Sequence, residues 1–100
     1  MLAEMPGTMH SGPWPALTST QVALAERLRC HVRHLTETIG PRNFQFYEAL
    51  QRSADWLEGE LRGLGYEVER LPFEADGQLF ENLHTTHDEG PFTVIGAHYD

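Results

Sequence analysis

The stretch Phe92-Thr93-Val94-Ile95-Gly96-Ala97-His98-Tyr99-Asp100 decides the interpretation of this chain. Its first part is apolar on both faces, which is typical of a strand buried in a sheet that is covered on two sides. Polar residues follow abruptly at its carboxyl end, where open α/β sheets form their sites. Because strand side chains alternate, His98 and Asp100 are predicted to point to the same face.

The pair formed by His98 and Asp100 has the chemistry of a metal-ligating unit. A neutral imidazole binds a metal through one ring nitrogen while the other nitrogen donates to a carboxylate. The triplet alone is unspecific, since a histidine and an acid at a solvated strand end would have the same sequence. The rest of the chain supplies the context that decides between these two interpretations.

Composition and charge limit the partners of the chain. Of its 100 residues, 15 are Asp or Glu and 7 are Lys or Arg, so the formal net charge is −8, which argues against nucleic acid and anionic membrane surfaces. Cys30 is the single cysteine, so we expect neither an internal disulfide nor a thiolate metal cluster. No apolar run is long enough to span a membrane, and no signal peptide is visible. A cytoplasmic location is the default expectation.

The first half of the chain predicts a leader followed by a helix. Residues 1–17 are rich in proline and glycine and are predicted to be irregular. Thr18 and Gln21 fit a capping box at the start of the helix, and Gly40-Pro41 fits its end. The helix carries one apolar stripe, formed by Val22, Ala25, Leu28, Val32, Leu35 and Ile39.

A second helix is predicted over residues 44–64. Its apolar stripe is formed by Tyr47, Leu50, Ala54, Leu57, Leu61 and Leu64. The stripe is too short for a coiled coil and is followed by strands, so the helix is predicted to pack on a sheet. Gly65 is the expected left-handed stop.

A β-hairpin is predicted after the second helix. Residues 66–73 have the pattern of one strand, and the turn signal Asp76-Gly77 joins it to a second strand over residues 78–85. A further turn is predicted over residues 88–91, directly before the opening stretch.

The other residues with ligand chemistry are interpreted as structural. Cys30, His31 and His34 lie off the stripe of the first helix and are predicted to be surface or rim residues. His84 and His87 fall in the predicted hairpin and turn, and we do not assign them as ligands.

The predicted elements are too few to enclose the apolar stretch. The predicted elements are two helices, a hairpin and the strand formed by the opening stretch. The helices and the hairpin cannot cover both faces of that strand, and one of its edges would stay unpaired, which proteins usually avoid. We therefore expect residues 18–100 to be the incomplete N-terminal segment of a larger α/β domain.

Several short motifs occur in a definite order from around residue 20 to the end. They are Ile39-Gly40-Pro41-Arg42, Tyr47, Trp56-Leu57, Leu61, Gly65-Tyr66-Glu67-Val68, Asn82-Leu83 and Ile95-Gly96-Ala97-His98-Tyr99-Asp100. This ordered set resembles the start of the zinc aminopeptidases of metallopeptidase family M twenty-eight, which includes bacterial leucyl-type aminopeptidases and glutaminyl cyclases. The resemblance implies a three-layer α/β/α fold, with a mixed sheet between helices and two zinc ions at the strand ends. It also leaves a secreted location open.

The resemblance implies that His98 is a zinc ligand and that Asp100 holds its ring from behind. The general base and the remaining ligands are implied downstream of residue 100, so the catalytic residues are unknown here. The implied reaction removes N-terminal residues from a peptide substrate: two zinc ions activate a water and polarise the scissile carbonyl, and a glutamate takes the proton. Because a catalytic zinc takes about three protein ligands, we expect these 100 residues alone to be inactive.

Three alternatives stay open at this point. One is a glutaminyl-peptide cyclotransferase-like acyltransferase on the same scaffold. A second is a zinc amidohydrolase or deacylase with its own His-x-Asp strand end, against which the motif Ile39-Gly40-Pro41-Arg42 argues. The third is a non-catalytic interaction domain on a peptidase-like scaffold; such domains usually lose their metal ligands, whereas His98 and Asp100 are retained.

Overall fold

The elements of the structure follow one another without a crossover. The structure, a computed structural model, describes residue 4, residues 6–85 and residues 90–100. In chain order it contains helix α1 (Ser19–Arg33), a π-helical segment (His34–Ile39), helix α2 (Tyr47–Gly63) and strands β1 (Val68–Ala75) and β2 (Gln78–Thr85). The chain is therefore mixed α/β. His87 and the first two residues of the predicted turn at 88–91 lie outside the described residues.

Helix α1 begins at the predicted capping box. The Thr18 hydroxyl accepts from the Gln21 backbone N–H at 3.2 Å, and the Gln21 side chain accepts from the Thr18 N–H at 2.9 Å. These two bonds satisfy donors that a helix start leaves unpaired. None of the helices in the described part of the chain is long and apolar enough to cross a membrane.

The last turn before Gly40 is wider than an α-helix. The Gly40 N–H donates to the Leu35 carbonyl at 3.1 Å, a five-residue step, and the Thr36 hydroxyl donates to the Val32 carbonyl at 2.8 Å. Gly40 then has φ of 80°, so the helical stretch ends where the sequence predicts.

The apolar stripe predicted for the first helix is largely exposed. Val22, Leu28 and Val32 keep 53%, 54% and 59% of their surface accessible. The reason is that α2 contacts the π-helical segment rather than the length of α1. The described residues therefore do not cover the face that the periodicity predicts to pack.

Helix α2 carries the buried core of the described residues. Its buried side chains are Ala49, Leu50, Ser53 and Ala54, on the face that the stripe predicts. The Ser53 hydroxyl donates to the Ala49 carbonyl at 3.0 Å, so this buried polar group is paired. At the start of the helix, the Tyr47 hydroxyl donates to the Leu79 carbonyl and joins α2 to β2.

Helix α2 begins three residues later than predicted. The Asn43 side-chain oxygen accepts from the backbone N–H groups of Gln45 and Phe46 at 2.9 and 3.1 Å. These bonds form an Asx-type turn that competes with helix formation before Tyr47.

Gly65 ends α2 in the left-handed conformation, as predicted, with φ of 93°. The Gly65 N–H donates to the Arg62 carbonyl at 2.9 Å, and the Tyr66 N–H donates to the Leu61 carbonyl at 3.1 Å. This pair of bonds is a Schellman cap. Because the cap uses the Tyr66 N–H, β1 begins at Val68 rather than at residue 66.

The predicted hairpin is confirmed. Strands β1 and β2 pair antiparallel, with Ala75 opposite Gln78 across a two-residue turn. Asp76 and Gly77 have φ of 50° and 76°. Two consecutive positive φ values are what a type I′ turn requires, and Asp-Gly supplies them at low cost.

The buried strand predicted over residues 92–97 is not formed. Among the described residues the sheet has two strands, β1 and β2, and residues 91–100 pair with neither. Val94 and Ile95 are 81% and 92% exposed. A strand needs a neighbour for its N–H and C=O groups, and the described residues place none beside this stretch.

Candidate metal-binding site

His98 and Asp100 contact each other as the sequence predicts. His98 Nδ1 lies 3.2 Å from Asp100 Oδ1. In the neutral tautomer that carries its proton on Nδ1, the ring donates to this carboxylate and keeps the lone pair of Nε2 for a ligand. The side chains are 94% and 58% exposed. The pair thus has the arrangement of a ligand imidazole held by a carboxylate, although no strand surrounds it.

Tyr99, between these two residues, is anchored to the hairpin. Its hydroxyl donates to the backbone carbonyl of Glu81 in β2, and the residue is half-buried. Burial, reinforced by the negative charge of Glu81, raises the pKa of the Tyr99 phenol. The phenol therefore keeps the proton that it donates, and the middle residue of the triplet is fixed to β2.

Arg42 holds the same residue through its backbone. Arg42 Nε donates to the Tyr99 carbonyl at 2.6 Å. Its Nη1 donates to the Leu35 carbonyl at 3.0 Å and to the Gly40 carbonyl at 3.4 Å. The half-buried guanidinium thus connects the end of the π-helical segment to the centre of the His-x-Asp triplet.

Arg70 of β1 gathers carboxylates from α2 and β2. It donates to Asp55 Oδ1 at 2.7 Å and to Glu58 Oε2 at 2.6 Å, and its Nη1 lies 3.7 Å from Glu81 Oε1. The hydrogen bond with Asp55 raises the pKa of Arg70, and the hydrogen bond with Glu58 and the negative charges of Glu58 and Glu81 raise it further. This cluster links the helix to both strands of the hairpin that anchors Tyr99.

An open cleft of about 530 Å³ lies beside the triplet. Its walls are formed by Leu50, Phe73, Phe80, Glu81, Asn82 and residues 96–100. An apolar surface with a few polar groups at one end is the usual composition of a small-ligand site. His98 and Asp100, with Glu81 and Asn82, are among the polar residues of its walls.

Cys30 and His84 each contact an acid other than Asp100. Cys30 is exposed on α1 with its Sγ 4.0 Å from Glu26, and His84 lies 3.7 Å from Glu69 across the hairpin. In the part of the chain that the structure describes, no group of three or more His, Cys, Asp or Glu residues could hold a metal ion. Within the described residues, the predicted ligand His98 thus has Asp100 as its acidic neighbour and no further candidate ligands grouped with it.

His31 and His34, predicted to be surface or rim residues, lie at the rim of the contact with α2. The ring of His34 stacks on Trp56 with a centroid distance of 4.4 Å, and His31 meets the same ring edge-on at 5.5 Å. His31 Nε2 also lies 3.4 Å from Glu60. Both side chains are half-buried, and their contacts are those of structural residues.

The spacing of His98 and Asp100 predicts that they lie on one face, but it does not point to Arg42 and Tyr99, which hold the backbone between them. In the sequence, Arg42 stands out only as part of a motif and Tyr99 only as the residue between His98 and Asp100. Their contact joins residues 57 positions apart, which no local spacing reveals. A sequence signal for this role is a cation three residues after the last helical residue, Ile39, where it can bind the last carbonyls of the helical stretch.

Comparison with known proteins finds a relative but no described activity. The uncharacterized protein YfbL of Escherichia coli (strain K12) is 33% identical over an alignment of 100 residues. The alignment covers 96% of this chain and 31% of the relative. The chain thus spans about a third of the length of that relative. No family model matches the chain, and no solved structure matches it.

Proposed function

We propose that this chain is the N-terminal part of a zinc-dependent metallopeptidase, an aminopeptidase that removes N-terminal residues from peptides. The observation that carries the proposal is the 3.2 Å contact between His98 Nδ1 and Asp100 Oδ1 at the wall of a cleft. The contact prepares Nε2 of His98 to bind a metal. The ordered set of motifs that ends in this triplet supports the same assignment.

The proposed complete fold is a mixed sheet between two layers of helices. In it, residues 92–97 become a central strand once neighbouring strands pair with them. The exposure of Val94 and Ile95 supports this, since a contiguous apolar surface on a stable protein is normally covered or functional. The greater length of the E. coli relative is consistent with a larger domain.

The described residues fit one ligand position of a zinc site. Nε2 of His98 would be one ligand, and because a catalytic zinc takes about three protein ligands, other parts of the protein would supply the rest. When bound, the zinc pair would provide Lewis-acid activation of a water and of the peptide carbonyl. This chain would hold the His98 ring, and Phe73 and Phe80 would line the cleft for apolar parts of the substrate.

The test compares His98→Ala and Asp100→Asn with the wild type in the complete natural protein. Zinc stoichiometry is measured by elemental analysis, and activity by hydrolysis of amino-acid anilides. His98→Ala should lose one metal of the pair and most activity. Asp100→Asn should keep the ring in place but weaken metal affinity or activity by about 10–100-fold. His84→Ala, which removes another exposed histidine beside an acid, is the control and should keep both properties.

Each contrary outcome has a distinct meaning. A wild-type protein that binds no zinc would refute the proposal that it is a zinc-dependent enzyme. Full metal content and rate in His98→Ala would place the metal site elsewhere. Cyclisation of glutaminyl peptides in preference to anilide hydrolysis would select the cyclotransferase alternative. Zinc binding without turnover of either substrate would select a non-catalytic domain.

A further inference from the structure

We infer that Arg42 is a positioning residue that sets the geometry of the His98–Asp100 pair, an inference that rests on the proposed function. Arg42 Nε donates at 2.6 Å to the Tyr99 carbonyl, which belongs to the peptide group that joins Tyr99 to Asp100. A peptide group is planar, so fixing its oxygen also fixes the N and Cα atoms of Asp100. The carboxylate that orients the His98 ring starts from that Cα.

The guanidinium of Arg42 is itself held at the end of the helical stretch. Its Nη1 binds the carbonyls of Leu35 and Gly40 at 3.0 and 3.4 Å. The Leu35 carbonyl also accepts the Gly40 N–H at 3.1 Å, the bond that closes the π-helical turn. Because a guanidinium offers several donors in one rigid plane, it can bind these carbonyls and that of Tyr99 together.

The triplet needs such a device because its outer side chains have little packing. His98 is 94% exposed and Asp100 58% exposed, so packing against the described residues does not fix their rotamers. Residue 99 is instead fixed at two points: its carbonyl by Arg42 and its hydroxyl by the Glu81 carbonyl. Hydrogen bonds to residue 99 thus fix the backbone between His98 and Asp100, where side-chain packing does not.

The test uses three variants of the complete natural protein. Arg42→Ala removes the guanidinium. Arg42→Gln keeps one NH₂ group at a reach similar to that of Nε but loses the planar set of donors that binds both ends at once. The control is Arg29→Ala, which removes an exposed guanidinium paired with Glu26 on α1.

Two measurements are made on each variant. The first is long-range ¹H–¹⁵N NMR of the His98 ring in metal-free protein at mildly alkaline pH. The wild type and Arg29→Ala should show mainly the Nδ1–H tautomer, and the Arg42 variants should shift towards a mixture. The second is zinc affinity by chelator competition. Arg42→Ala should lose about 10-fold or more, in the range of outer-shell changes, and guanidinium at a non-denaturing concentration should restore part of the loss.

The outcomes separate this inference from the proposed function. An unchanged tautomer and unchanged zinc affinity in Arg42→Gln would overturn the inference, and this holds even where Arg42→Ala fails to fold. A wild type that binds no zinc would end the proposed function, and the ring tautomer would still decide the role of Arg42. If the fraction of the Nδ1–H tautomer falls as far in Arg29→Ala as in Arg42→Ala, the inference is also overturned, because the effect would then not be specific to Arg42.

Discussion

Arg70 Nε donates to Glu58 Oε2 over 2.6 Å and thereby joins β1 to α2. Glu58 also accepts from Arg62 at 2.8 and 3.0 Å. Hydrogen bonds from Arg62 and Arg70 hold the pKa of the Glu58 carboxyl below its usual 4.5. Arg70 reaches Glu81 as well, whose backbone carbonyl anchors Tyr99. One ionic cluster therefore supports the hairpin against which the candidate site is built.

The lowered pKa of Glu58 predicts a loss of stability in acid. A carboxyl whose pKa is lower in the folded state contributes stability that is present above the unfolded value, here about 4.5, and is lost as the pH falls through the folded value. Glu58→Gln should be less stable than the wild type at neutral pH, and the difference should shrink below that window. Urea unfolding at a series of pH values measures it.

The control for this prediction is Glu26→Gln. It removes an exposed pair with Arg29 within α1 and should change stability little, because exposed pairs contribute little. Parallel stability curves for the wild type and Glu58→Gln across the acid range would show that the cluster contributes no pH dependence.

Substitution of Gly65 should strain the end of α2. Gly65 has φ of 93°, and an added Cβ would meet nothing within 4 Å, so the cost would come from the backbone conformation alone. Gly65→Val should destabilise the fold by about 1 kcal/mol or more in thermal or urea unfolding. Gly63→Ala, in the last turn of the same helix, should instead stabilise by up to about 1 kcal/mol. Equal stability of Gly65→Val and the wild type would contradict the cap.

Cys30 should be dispensable for the proposed activity. It is exposed on α1, and its nearest polar partner is Glu26 at 4.0 Å. Cys30→Ser in the complete protein should keep nearly full activity, and alkylation of the wild-type thiol should leave the rate unchanged. Loss of activity in a folded Cys30→Ser protein would mean that α1 contributes to the site.

A polypeptide of residues 1–100 alone should expose apolar surface. Phe92, Val94 and Ile95 are 66%, 81% and 92% exposed, and much of the α1 stripe is open. We expect binding of an apolar fluorescent dye and self-association, both reduced by the double variant Val94→Ser and Ile95→Ser. A soluble monomer with a cooperative melt and no dye binding would show that these residues need no cover.

The sequence by itself determined the features that depend on a few neighbouring residues. Thr18 and Gln21 form their capping box three positions apart, Gly65 ends α2, and Asp76-Gly77 closes the hairpin. Even the contact of His98 with Asp100 spans only two positions. In each case the backbone dihedrals and one or two short hydrogen bonds fix the outcome, so the residue types are sufficient to predict it.

The tertiary structure decided everything that needs a partner distant in the chain. The apolar pattern of residues 92–97 could not show that no strand lies beside them among the described residues, because a strand exists only where neighbours accept its hydrogen bonds. The same limit applies to α1. The periodicity of its sequence marks an apolar stripe, but it could not show that α2 leaves this stripe uncovered. The contact of Arg42 with Tyr99 joins residues 57 positions apart, and only folding brings them together, since local residue patterns carry no information about which distant groups will meet.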